Sequence, residues 1–367
     1  MQNVKVMLKK ELFDYVPFSV IDDLNFTVVA FKYKSGVEGL RISNGLCSMV
    51  VTPYMGHQIW ELEINGRNMT QKSIFDQPLM TDKFGDNYGA FLIHCGLTNL
   101  NGAGEGENYP LHGELPFAKY DDNIIEIGED EKGRYLSVSG TYTYRNSQEY
   151  YYEYKPKIKL YKDNTLVNVR NEINNKRSSE LKYLFMCHMN WLGVDGSKIL
   201  DSVQKDENKI DVPLNDYHSE SNIKSGLWDF ANKVKDNPET IDTIDFKNQI
   251  FNPEFCVNVQ HTPDDTNWAH ALCILPENDS YYVGFNCHNI KNSVKWFCKN
   301  EDENGLGFCL PTTGNNQSSK HQYENQLYNS VKGLSSDYIE FSFGYKDVDE
   351  TEYMGNHIKN ILERKKN

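Results

Sequence analysis

Three histidines stand where imidazoles can exchange protons. His94 lies in YGAFLIHCGLTN, His112 in YPLHGELP and His188 in YLFMCHMNWLG. Imidazole is the side chain whose unperturbed pKa lies near neutral pH, so it gives and takes protons there. Glu114 follows His112 by two residues. On an extended segment such neighbours share a face, so the carboxylate can orient the ring or act as a base. Gly113 lets the backbone approach a ligand, and Pro110 and Pro116 stiffen the flanks. The blander alternatives are a loop histidine beside an exposed glutamate, and a core histidine at position 188. The apolar run before His188 predicts a buried strand that opens at the histidine, with Asn190 on the same face.

His94, His112 and His188 could be three zinc ligands, as in catalytic sites. No H-x-H or H-E-x-x-H spacing supports that, and Cys95 faces away from His94 on a strand, so no metal is expected. GAGEGE lacks the lysine and helix of a phosphate loop. No G-x-S-x-G elbow occurs, and no cofactor is expected.

Proton chemistry of this kind needs rigid elements to hold the rings, and strand signals dominate the chain. Runs such as RYLSVSGTYTY, EYYYEYKPKIKLY and LKYLFMCHMNW alternate or run apolar with β-branched and aromatic residues. Turns such as KDN before Thr165 and EKG before Arg134 divide them. Helical periodicity is confined to a segment near the N-terminus and the tail TEYMGNHIKNILERK, where Ile358, Ile361 and Leu362 form an apolar face. The pattern predicts an all-β sandwich or stacked sheets in a single domain spanning 1–367. The polar stretch from about Ser202 to Lys247 is the least strand-like and reads as an excursion at the rim of a cleft.

The chain has 367 residues and a formal charge of −14, from 52 acidic and 38 basic side chains. That balance argues against nucleic acid and anionic membranes as partners. Aromatics make up 13% of residues, which suits strands first and sugar-stacking clefts second. The eight cysteines are dispersed, without a C-x-x-C pair, and are expected to be reduced and buried. No run approaches about 18 apolar residues, and the N-terminus lacks a secretion core. The expectation is a soluble cytoplasmic protein, monomeric or homodimeric.

HCGLTN, then LHGELP, then FMCHMNW resembles the aldose 1-epimerase (galactose mutarotase-like) superfamily, most closely a divergent bacterial branch with CGLTN…LHGELP motifs. GHQIWELEINGRNMTQKSIFDQP and the span from VKWFC to GFCLPTT extend the likeness from about Gly56 to Tyr345. It implies a galactose mutarotase-like β-supersandwich with a broad sugar cleft, and interconversion of α and β anomers of a small-molecule sugar. By motif match His112 is a site histidine and His188 the acid at the ring oxygen. The usual late-strand glutamate base falls on Cys309, Leu310 or Pro311, none a carboxylate. Glu114 is the first substitute and Glu324 the second. An arginine common in the superfamily is also absent, near Asn99 and Asn101. His94, Asn99, Lys72, Arg67, Asn190, Trp191 and Trp228 are expected sugar contacts. A sugar-binding protein that lost its base is the alternative.

Overall fold

Alternation with a period of two organises the strands. In Tyr150–Tyr161, the side chains of Tyr152, Tyr154, Pro156, Ile158 and Leu160 are buried, while Lys155, Lys157 and Lys159 between them are half-exposed. Ile158 sits opposite Val138 on one neighbour and Val169 on the other. A slip of one residue would carry the lysines into the core, so the apolar face fixes the register. Burying each such aliphatic side chain is worth roughly 1.5–3 kcal/mol.

A computed structural model describes residues 3–206 and 209–364. They form two compact units. The first comprises Met1–Thr70, Phe75–His188 and Gln317–Ser342; the second comprises Gln71–Ile74, Met189–Asn316 and Phe343–Asn367.

In the first unit, one antiparallel sheet runs in the order Val4–Leu8, Asp122–Asp130, Gly133–Asn146, Tyr150–Tyr161 and Leu166–Asn175. The other runs Leu181–Met189, Leu92–Leu97, Ile59–Ile64, Cys47–Val51, Glu38–Ser43, Thr27–Lys32 and Phe18–Asp22. Every residue of Leu92–Leu97 is buried, which is why LIHCGL reads as a continuous run.

The second unit is also antiparallel. Ile210–Asp211, Phe251–Gln260, Asn292–Lys299 and Asn304–Thr312 pair in that order, and Trp268–Ile274 lies between Ser280–Asn286 and Lys198–Asp201. At its centre the fully buried Lys295 bonds Asp201 at 2.7 Å and Asp242 at 3.1 Å. Burial opposes the lysine's charge, yet the two carboxylates hold its pKa above the usual range.

All eight cysteines are free and buried, as their dispersal implied. The tail folds as the helix Val348–Arg364 with Ile358 and Ile361 buried. Among the described residues the N-terminal segment forms no α-helix, contrary to the expectation from the sequence. Val4–Leu8 is a strand followed by a 3-10 turn at Lys10–Leu12, because strand pairing with Asp122–Asp130 satisfies that backbone better than an isolated helix. The polar stretch after Ser202 folds into the short helices Leu214–Tyr217, Glu220–Lys224 and Leu227–Asp236, with Ser219 capping the second through Asn222 N–H. Its polar composition reflects solvent-facing helical sides. Among the described residues no helix is long and apolar enough to cross a membrane.

Candidate functional site

Within the first unit, the strand Leu92–Leu97 carrying His94 lies beside Leu181–Met189 carrying His188. Contact between them is close. A Cβ on Gly96 would meet the Leu184 carbonyl oxygen at 2.1 Å, so only glycine fits. The chain then leaves the sheet in a loop that returns His112 to the strand end. Gly96 N–H donates to the His112 carbonyl at 2.9 Å, and His112 N–H to that of Asn101 at 3.1 Å. Gly113 also admits no side chain, since a Cβ there would lie 2.2 Å from the Asn99 carbonyl oxygen. His112 has φ of 62°, a left-handed conformation that histidine adopts more readily than most residues.

Glu114 holds this turn together. Its Oε1 accepts from Leu97 N–H at 3.0 Å, Thr98 N–H at 2.9 Å and the Tyr152 hydroxyl at 2.5 Å. Its Oε2 accepts from the Thr98 hydroxyl at 2.8 Å. Both carboxylate oxygens are thus engaged by backbone and side-chain donors. Glu114, the expected replacement base, thereby ties the His112 loop to the end of Leu92–Leu97 and to Tyr152. The helix-borne Glu324, the second substitute, is exposed.

The ring pair is formed by His112 and His188, 5.7 Å apart and tilted by 73°. The Tyr88 hydroxyl lies 3.0 Å from His188 Nε2, and Phe84 packs on both His112 at 4.6 Å and Tyr88 at 4.9 Å. Burial, with His188 beside it, pushes the His112 imidazole down to about 3, so it is neutral at neutral pH. Its Nδ1 is buried without a protein partner, while the residue as a whole stays half-exposed. Tyr88 and Phe84 escape a reading by motif. A tyrosine and a phenylalanine upstream of HCGLTN carry no spacing signal among so many aromatics.

His94 is a second buried imidazole. Its Nδ1 lies 3.1 Å from the Tyr154 hydroxyl and 3.5 Å from Asn171 Nδ2. Burial pushes it down to about 3 as well. Tyr152 and Tyr154 thus use the buried face of one strand to hold Glu114 and His94. With no exposed surface, His94 is a core histidine rather than a cleft wall.

The remaining expected contacts scatter. Asn99 donates to the Thr98 hydroxyl at 3.1 Å. Arg67 is exposed on the short strand Arg67–Asn68. The others belong to the second unit. Lys72 is exposed, with Nζ 3.3 Å from the Glu301 carbonyl oxygen, and Asn190 is fully buried. Trp191 is fully buried and stacked on Tyr281 at 4.7 Å, so it is core rather than a stacking ring for a sugar. Trp228 packs on His218 at 4.7 Å within the helical stretch. Cys309 is no thiolate: burial pushes it up to about 12.

Residues 34–234 match the model of the DUF4432 family, described as a domain of unknown function, and the chain belongs to that family. Its fold is that of the galactose mutarotase-like β-sandwiches. A provisionally named aldose 1-epimerase from Klebsiella pneumoniae is similar over 98% of this chain and 96% of its own, with a TM-score of 0.80 at 14% identity. A galactose mutarotase-like protein from Clostridium acetobutylicum is similar over 89% of this chain and all of its own, at 12% identity and a TM-score of 0.56. The galactose 1-epimerase of Lactobacillus acidophilus is similar over 94% and 98%, at 9% identity and a TM-score of 0.52. No curated protein sequence matches the chain.

Proposed function

We propose that this protein is an aldose 1-epimerase-like isomerase that interconverts the α and β anomers of a sugar. The supporting observation is the His112–His188 pair, 5.7 Å apart, with the Tyr88 hydroxyl on His188. Ring opening needs one proton delivered to the ring oxygen and one removed from the anomeric hydroxyl. The two oxygens share one carbon, so two facing imidazoles can address one each. His188 is assigned the donor at the ring oxygen, oriented by Tyr88. The neutral His112 is assigned the acceptor at the anomeric hydroxyl. The bond from the anomeric carbon to the ring oxygen breaks as the aldehyde forms. Rotation presents the aldehyde's other face, and reclosure returns both protons. Glu114 keeps the His112 loop in place.

A second reading is a sugar-binding protein without turnover. It is favoured by the engagement of Glu114 and by the lack of a carboxylate at Cys309, Leu310 and Pro311. NMR exchange spectroscopy over a panel of neutral and anionic aldoses separates the two. The isomerase reading expects at least one sugar to anomerise faster than in buffer. Thermal stabilisation by a sugar without any rate increase would establish the second reading. If no sugar is turned over and none stabilises the protein, both fail.

A further inference from the structure

Independently of the sugar site, the second unit gathers Asp264, His270 and His357, whose ligand-type atoms all lie within 4.8 Å of one another. Asp264 follows the strand that ends at Gln260, His270 lies on Trp268–Ile274, and His357 on the helix Val348–Arg364. Asp264 Oδ2 stands 3.2 Å from His270 Nε2 and 3.2 Å from His357 Nε2. Metal bonds of about 2.0–2.1 Å in a tetrahedral site put neighbouring ligand atoms roughly 3.3–3.4 Å apart. The two separations from Asp264 are close to that edge.

The supporting contacts have the form that metal sites use. Asp264 Oδ1 accepts from Thr266 N–H at 2.8 Å, Trp268 N–H at 2.9 Å and the Thr266 hydroxyl at 2.8 Å, leaving Oδ2 for the histidines. His270 Nδ1 lies 2.9 Å from the Tyr282 hydroxyl, a partner that fixes ring orientation and directs Nε2 inward. A cavity of about 270 Å³ lined by Asp264, His357, Ile361 and Arg364 adjoins two of the three members of the cluster. It leaves room for a fourth ligand. Arg364, which also lines the cavity, is neutralised by its ion pair with Asp265 at 2.7 Å.

We propose that Asp264, His270 and His357 form a three-ligand site for a divalent transition metal of the zinc type, joining the C-terminal helix to the core of the second unit. The set of two imidazoles and one carboxylate with an open position selects zinc or its neighbours over magnesium or calcium.

The test uses the full chain, stripped with a chelator and titrated with Co²⁺ and then Zn²⁺. One equivalent of Co²⁺ should give the intense visible absorption of a tetrahedral site. Zn²⁺ should bleach it and raise Tm. His357→Ala should weaken Co²⁺ binding at least 100-fold; its side chain is 38% exposed, so the fold tolerates the change, as a circular dichroism melt without metal can verify. Asp264→Asn should weaken binding similarly. A wild-type chain that shows neither absorption nor a Tm shift overturns the proposal. So does a Co²⁺ signal that survives intact in His357→Ala, because the ion then sits elsewhere.

Discussion

Each unit sets two imidazoles against one another beside a tyrosine hydroxyl. In the first, His112 and His188 are 5.7 Å apart and Tyr88 reaches His188 at 3.0 Å. In the second, His270 and His357 are 5.2 Å apart and Tyr282 reaches His270 at 2.9 Å. Ring geometry is nearly the same, and the neighbours differ. Asp264 stands between the second pair, whereas Phe84 packs against His112 in the first. A carboxylate between two imidazoles completes a mixed oxygen and nitrogen donor set of the kind a metal ion takes. An aromatic wall instead desolvates the ring and keeps it neutral. The two proposals assign these similar pairs different work, proton exchange to one and cation binding to the other.

The largest effect should separate the pairs outright. His188→Ala should lower anomer exchange at least 100-fold, the usual scale for a lost general acid, while His357→Ala leaves the rate of the metal-free protein unchanged. Equal losses in both variants would end the division of labour.

Acid should act next. His57, His94 and His112 are each pushed down to about 3 by burial. The unfolded chain binds protons at these positions near pH 6.5. It therefore takes up more protons than the folded state between about pH 6.5 and 3, and stability falls as pH drops through that window. Urea denaturation at pH 7.0 and 4.5 should show a lower midpoint at the acid value. Over pH 7 to 5 His112 stays neutral, so in the folded protein the limb of the rate profile that belongs to this ring should stay flat; a fall centred near 6.5 that His112→Gln removes would mean that His112 is not desolvated.

Smaller losses should come from the positioning groups. Glu114→Gln exchanges a charged acceptor for an amide among four donors and should cost about 1–3 kcal/mol in denaturant unfolding. Its effect on the rate should follow the integrity of the His112 loop, with kcat affected more than KM. Tyr88→Phe removes one hydrogen bond, worth about 1 kcal/mol, and should slow exchange roughly fivefold. If Tyr88→Phe matched His188→Ala, the phenol would be the proton donor instead.

The all-β architecture was legible because alternation exposes itself locally: Tyr152 to Leu160 on one face and Lys155 to Lys159 on the other need no partner to be read. The blocks around His112 and His188 singled out two histidines whose rings the fold sets 5.7 Å apart. The engagement of Glu114 was not legible, because its spacing from His112 says nothing about the Leu97 and Thr98 amides or the Tyr152 phenol that donate to it. Trp191 was misread because a ring at a strand end can face solvent or stack on Tyr281, and neighbouring strands decide which. The short helices after Ser202 were hidden by a polar composition that suits loops and exposed helical faces alike.

The sequence by itself determined which faces of the strands are buried, that the cysteines lie dispersed in the core, and that the tail is an amphipathic helix. These follow from periodicities of two and near four, carried by consecutive residues. Only the tertiary structure decided which imidazoles meet, which carboxylate is occupied by backbone donors, and which one stands between two histidines. Those outcomes depend on strand order and register, which bring together side chains far apart in the chain, and on burial, which sets whether a ring is neutral or shares a cation.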